Sequence, residues 1–239
     1  WAAHQFARFP LKRMRTASLA ADDLFAPQML QLVDDAQGGA RYWPGFIDPD
    51  TARRWFDVLV AHADWRHLSR PMYDRVVDVP RLLANYPVDA LPEDLPLSDM
   101  LARVRELVPA PFTSIGMNFY RDGRDSVAMH GDKLHTLRDG HPIALVSLGA
   151  PRRMLIRACA DHRDCIAIDL MPGSLLAMSH AMQSSHEHGI PKVRHAEPRI
   201  SVVFRARPDL AGSSIPAVGA PSGAIAFRPA VRPRERHRA

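Results

Sequence analysis

Past Pro111 the chain loses helical spacing, and seven short segments follow at steady intervals in which apolar residues alternate with others: 113–121, 126–131, 142–148, 152–159, 165–170, 174–179 and 199–206. A period of two is what a strand with one buried face requires, and many short strands at regular spacing imply an all-β barrel or sandwich. Upstream the period is helical. In "DPDTARRWFDVLVAHADW", Asp48 is placed to cap, Pro49 suits the first helical position, and Trp55, Val58, Leu59 and His62 fall on one face. "LPLSDMLARVRELV" repeats the device, with Ser98 as the cap and Leu101, Val104 and Val108 at helical spacing. The expected fold class is α+β, mainly β, with an N-terminal helical layer against a β core over about 113–207.

A chain of 239 residues with 46% hydrophobic content can bury one good core, so a single domain over 17–207 is expected. No apolar run reaches the roughly 18 residues that span a bilayer, and the first residues lack the apolar stretch of a secretory signal. No membrane association and a cytoplasmic location are therefore expected. Cys159 and Cys165 are too few for a disulfide framework and are read as small core residues, with one hairpin bridge between them left open.

The net charge of +5 invites a nucleic-acid reading, but the charge is unevenly placed. Nine of the 31 bases and two of the 26 acids lie in 1–16 and 208–239, which leaves the body between them at 22 bases against 24 acids. Residues 208–239 are rich in Pro, Gly, Ala and Ser without an apolar period and are expected to be a disordered basic tail. Residues 1–16 are expected to be a basic, disordered extension, since "MRTASLAADDLF" from Met14 reads as an ordinary start. Whether these tails track phosphates or are merely solvated is open at this point.

The chemistry concentrates in the second half. His130 and Asp132, at i and i+2 of an expected strand, project to one face and could chelate a metal together. A third ligand is available in "SHEHGIPKVRH", where His186 and His188 are the nearest choices and His180 and His195 lie further off. Two histidines and a carboxylate leave three positions of an octahedral iron open, which suits a bidentate co-substrate plus dioxygen. Zinc favours a closed tetrahedral set or a single open position. The strand "RISVVFR" puts Arg199, Ser201, Val203 and Arg205 on one face and Ile200, Val202 and Phe204 on the other. Two arginines on a core-like strand are costly to bury unless an anion meets them, and a dicarboxylate would do so. "GMNFYR" likewise places Asn118 and Tyr120 on one face, with Met117 and Phe119 toward the core.

The segments "NFY", "HGD", "VSLG", "HGIP" and "RISVVFR", in this order and spacing, resemble the AlkB family of Fe(II)- and 2-oxoglutarate-dependent dioxygenases. The resemblance covers about residues 65–207 and runs upstream through "WRHLSRPMYDRVVDVPRL", while "YRDGRDSVAMHGD" and "SLGAPRRMLIR" are most similar to bacterial members. It implies a double-stranded β-helix, or jelly roll, with a nucleotide lid upstream of the β core. It also implies that His130, Asp132 and His188 hold Fe(II), that Asn118 and Tyr120 contact 2-oxoglutarate, and that Arg199 meets the C5 carboxylate with Arg205 nearer C1. Ser201 stands where the family has a further asparagine for 2-oxoglutarate.

The reaction implied consumes 2-oxoglutarate and O2, yields succinate and CO2, and hydroxylates an N-alkyl carbon on a damaged base, after which the hemiaminal releases an aldehyde. Alkylated DNA or RNA, single-stranded or with its base flipped out, is the implied partner of a monomeric enzyme. Tyr73 and Tyr86, in the lid region, are candidates to stack on the base. Lys133, Leu134 and His135 occupy the stretch where several members carry an acid, and strand alternation makes His135 the one expected near the base. A 2-oxoglutarate-dependent hydroxylase of a protein or small molecule would share the same iron site. A non-catalytic barrel would leave Asn118, Tyr120, Arg199 and Arg205 without a common purpose.

Overall fold

A computed structural model describes residues 14–16, 29–72 and 75–208, with side chains for all of these but 14–16 and 70–77. Along the chain run β1 (Met14–Thr16), β2 (Leu30–Val33), β3 (Ala40–Trp43), α1 (Pro49–His62), β4 (Arg66–Met72), β5 (Arg75–Pro87) and α2 (Leu97–Leu107). The second half contains β6 (Ser114–Tyr120), β7 (Val127–His130), β8 (Ile143–Gly149), β9 (Arg152–Ala158), β10 (Cys165–Leu170), β11 (Ser174–Met178), α3 (Met182–Ser185), β12 (His186–Ile190) and β13 (Arg199–Arg205). The strands form an eight-stranded sheet in the order β2-β3-β11-β8-β13-β6-β5-β4 and a five-stranded sheet in the order β1-β10-β9-β12-β7.

Both faces of the large sheet are covered, which is why β8 and β11 read as nearly continuous apolar runs. On one face, Met117, Phe119, Ile200, Val202 and Phe204 pack against α1 and α2 through residues such as Trp55, Leu59, Met100 and Val104. On the other, Leu145, Leu176 and Val203 meet Met154, Ile156 and Ile168 of the small sheet. The outer face of the small sheet is solvated, and Arg153 and Asp169 pair there across β9 and β10. This is the double-stranded β-helix with a helical layer. Among the described residues no helix is long and apolar enough to cross a membrane.

Two strand pairings decide what comes together between the sheets. In the large sheet β13 aligns Arg199 with Tyr120 and Ser201 with Asn118, so these four side chains share the inner face. In the small sheet β12 aligns His188 with His130.

Several details differ from the sequence reading. The second helix begins at Leu97, with the Met100 N–H donating to Pro96 O, so Ser98 lies inside the first turn and does not cap it. Neither cysteine is a core residue: Cys159 is exposed, Cys165 is half-buried, and both are free. The segment Met14–Thr16 pairs in parallel with β10, so the expected extension over 1–16 already meets the sheet at Met14. Residues 1–13 and the tail from Asp209 onward lie outside the described residues.

The N-terminal half is also richer in strands than its helical pattern suggests. Pro71 and Pro80 argue against strands in "RHLSRPMYDRVVDVPRLLANYP". The structure accommodates them: Pro71 sits on β4, the sheet edge, and Pro80 falls where the β4–β5 register shifts, its carbonyl accepting from Ser126 N–H.

Candidate active site

His130 closes β7 and faces His188 of β12, with ring centroids 4.6 Å apart. The His130 Nδ1 proton is held by Ala128 O at 2.9 Å, which turns the Nε2 lone pair inward. Asp132 stands 3.6 Å away, measured from His130 Nε2 to Asp132 Oδ1. One ligand atom from each of His130, Asp132 and His188 lies within 4.8 Å of the others. Unlike the two histidines, Asp132 is not on a strand, because the chain turns away after His130. Gly131 permits this turn: a Cβ there would lie 2.2 Å from the backbone O of Gln183. The Asp132 N–H donates to Gln183 Oε1 at 3.0 Å, and Asp132 Oδ2 accepts from Arg205 Nε at 2.7 Å. Only Oδ1 is left facing the histidines.

Electrostatics prepare the three groups for a cation. Burial would raise the Asp132 carboxyl, but the nearby His130 imidazole and the charge of Arg205 outweigh this and hold it well below the usual carboxylate range. Burial, reinforced by the neighbouring His130, pushes His188 down to about 4, so it is neutral and open to a metal near pH 7. His130 is shifted upward, chiefly by the neighbouring Asp132 carboxylate.

The pocket beside this cluster is lined by Arg81, Asn118, Tyr120, Arg199, Ser201 and Arg205 among others. Arg199 is fully buried. Its Nε donates to Ser147 Oγ at 2.9 Å, and both terminal nitrogens lack a partner. Leaving a guanidinium so unsatisfied away from water is costly, which makes this the strongest anion demand in the pocket. The guanidinium carbons of Arg199 and Arg152 are 5.1 and 5.6 Å from the Tyr120 ring centre. Asn118 is fixed at both ends, accepting from Arg81 Nε at 2.7 Å and donating to Ser201 Oγ at 3.2 Å.

The family model described as the 2OG-Fe(II) oxygenase superfamily matches residues 39–205. The chain belongs to the 2OG-Fe(II) oxygenase superfamily. It is 30% identical over 183 residues to the mouse (Mus musculus) protein named alpha-ketoglutarate-dependent dioxygenase alkB homolog 3, which covers 68% of this chain and 64% of that protein. It is 32% identical over 126 residues to the Bos taurus protein named DNA oxidative demethylase ALKBH2, covering 46% of this chain and 44% of that one. The chain thus spans less than two thirds of these curated relatives. The solved chain described as "The structure of OsALKBH1" matches with a TM-score of 0.50 at 16% identity, over 71% of this chain and 97% of that one, a likeness of fold.

The residues fit the groups that 2OG-Fe(II) oxygenases use. Two imidazoles and one carboxylate oxygen on one side of a cavity are the donor set of a three-ligand iron site, and the unpartnered Arg199 nitrogens suit a carboxylate.

Other expected residues stand apart from the site. Tyr86 pairs with Ile115 and packs on the helix side of the large sheet, where its hydroxyl accepts from Asp64 N–H at 2.9 Å. It therefore cannot stack on a base in the pocket. Tyr86→Phe is expected to lower stability by about 1 kcal/mol through the lost hydrogen bond while leaving 2-oxoglutarate turnover unchanged, as thermal melts and a succinate assay would show. Tyr73 lies outside the described residues. His135 sits exposed in a short 3-10 turn, Leu134–Thr136, so the strand alternation that placed it near a base, with Lys133 turned away, does not apply. His186 bonds Ser185 Oγ and His180 lies 3.3 Å from Asp139, neither joining the triad.

Four residues that shape the site went unread in the sequence: Arg81, Ser147, Arg152 and Gln183. Arg152 is 4% exposed and donates to the carbonyls of Asp122, Asp125 and Pro191, tying the loop after β6 to the end of β12. An arginine opening a strand, as in "APRRMLIR", was its only local signal.

The shift of His188 has a measurable consequence. Between pH about 4 and 6.5 the unfolded chain binds a proton on this residue that the folded chain does not, so its contribution to stability is lost as pH falls through that window and is constant above it. With a chelator present, wild type should lose stability relative to His188→Gln on going from pH 6.5 to 4.5, by up to about 1.4 kcal/mol per pH unit. Parallel pH profiles of the two melting temperatures would contradict this.

Proposed function

We propose that the chain is an Fe(II)- and 2-oxoglutarate-dependent dioxygenase that oxidatively dealkylates alkylated nucleic-acid bases. The observation that carries the co-substrate is Arg199, buried, charged and unpartnered at both terminal nitrogens in the pocket beside the His130, Asp132 and His188 cluster. His130, Asp132 and His188 would hold the iron, which when bound supplies the oxygen activation that couples 2-oxoglutarate decarboxylation to C–H hydroxylation. Arg199 would take the far carboxylate, with its guanidinium carbon over the Tyr120 ring. Asn118 and Ser201, already bonded to each other, offer polar contacts along the pocket wall. Arg205 binds Asp132 Oδ2, which would leave Oδ1 for the metal, and its place in the pocket lining supports a role toward the C1 carboxylate of the co-substrate.

The substrate class rests on the relatives whose names specify alkB homology and DNA oxidative demethylation. A base must leave its stack to reach the iron, at a cost of a few kcal/mol that single-stranded or damaged nucleic acid lowers. The β4–β5 hairpin flanks β6, whose Asn118 and Tyr120 line the pocket, and is the element suited to hold the flanking strand. The test is formaldehyde release from a panel of methylated DNA and RNA oligonucleotides, single-stranded and duplex, with a metabolite extract as control. Release from oligonucleotides supports the reading. Turnover stimulated only by the extract would replace it with a hydroxylase of a small molecule.

A further inference from the structure

Asp132 is the one member of the triad that no strand carries, so something else must set its position. Its N–H is taken by the side-chain oxygen of Gln183, a residue only 6% exposed, whose Nε2 in turn donates to Ser179 O at 3.2 Å. Gln183 lies in α3, and β12, which carries His188, begins immediately after α3 ends. One amide therefore links the Asp132 segment to the segment that delivers His188.

The turn holding Gln183 is itself clamped from the β2–β3 connection. Ser179 Oγ donates to Asp35 Oδ2 at 2.6 Å and accepts from Met182 N–H at 3.0 Å. Asp35 Oδ1 accepts from the N–H groups of Gln37 and Gly39, both at 2.8 Å. Gln37 Oε1 takes the Ala181 N–H at 2.9 Å, and Gly39 O takes that of Ser179 at 2.7 Å. None of these groups belongs to the triad, yet together they form a continuous polar path from Asp35 to the Asp132 backbone.

We propose that Gln183 is a positioning residue for the metal centre, fixing Asp132 relative to His188, and that the Asp35–Ser179 contact holds Gln183 in place. The inference rests on the metal-site reading and is independent of the substrate. Without the amide, Asp132 keeps its side-chain contacts to Arg205 and His130 but its N–H is released, and the segment must be ordered when metal binds, which weakens affinity.

The test titrates Co(II) into the chelator-treated full chain and follows visible absorption. Gln183→Leu, of similar size and without hydrogen bonds, should weaken Co(II) about tenfold or more and alter the band shape, since groups that orient metal ligands typically matter at about 10- to 100-fold. Asp35→Ala should weaken it in the same direction. Tyr86→Phe serves as a control that lowers the melting temperature alone. Unchanged Co(II) affinity in Gln183→Leu or, if that variant does not fold, in Asp35→Ala overturns the proposal, even if stability falls. A wild type that binds no Co(II) removes the metal-site reading itself, a distinct outcome.

Discussion

His188→Ala is expected to reduce Fe(II)-dependent consumption of 2-oxoglutarate to background while the β core remains folded. His188 is buried, faces His130 across a strand pair, and is held neutral, so it offers a lone pair that no other described residue in the pocket can replace. A three-ligand site already leaves half its octahedron to co-substrate and oxygen, and losing one more protein ligand removes the geometry on which the chemistry depends. His130→Ala and Asp132→Asn should be equally inactive. Asparagine is the cleaner replacement at 132, since it stays close in shape beside Arg205. His186→Ala, one strand repeat away, should retain activity and metal binding. The reverse pattern, with activity lost in His186→Ala and kept in His188→Ala, would show that the wrong histidine has been assigned.

Arg199→Met should raise the 2-oxoglutarate requirement by tens to thousands of fold. Truncating one partner of a buried, charge-assisted pair costs about 2 to 5 kcal/mol, and each 1.4 kcal/mol is about tenfold in affinity. The same substitution should move stability in the opposite direction. In the ligand-free protein a fully buried guanidinium with two unpartnered nitrogens is a cost to folding, which methionine of similar length relieves. Saturating 2-oxoglutarate with metal should raise the wild-type melting temperature and leave that of Arg199→Met unmoved. An unchanged Michaelis constant, or equal stabilisation of both proteins, would remove Arg199 from the co-substrate site.

The strands were legible where neighbours in sequence are also neighbours in function. "RISVVFR" alternates between Arg199, Ser201 and Arg205 on the pocket side and Ile200, Val202 and Phe204 on the core side, as β13 does. The same holds for Asn118 and Tyr120 against Met117 and Phe119. Choosing His188 over His186 was different, because both lie on β12 and spacing alone left the choice open; the resemblance to a family made it.

What stayed hidden has physical causes. Prolines 71 and 80 masked β4 and β5, since only tertiary context shows that one sits on an edge and the other at a register shift. The alternation argument for His135 fails because β7 ends at His130 and His135 lies in a 3-10 turn. Gln183 and Ser147 act through partners 51 and 52 residues away, Asp132 and Arg199, and local sequence carries no trace of such pairs.

The central claim is that one cavity binds iron through His130, Asp132 and His188 and binds 2-oxoglutarate through Arg199. It is tested most directly by following conversion of 2-oxoglutarate to succinate and CO2 by the purified chain with Fe(II), in air and under nitrogen. The expected result is succinate and CO2 in equal amounts, only with both iron and oxygen, and none in His188→Ala. Conversion that persists without iron or without oxygen, or that survives His188→Ala, would contradict it.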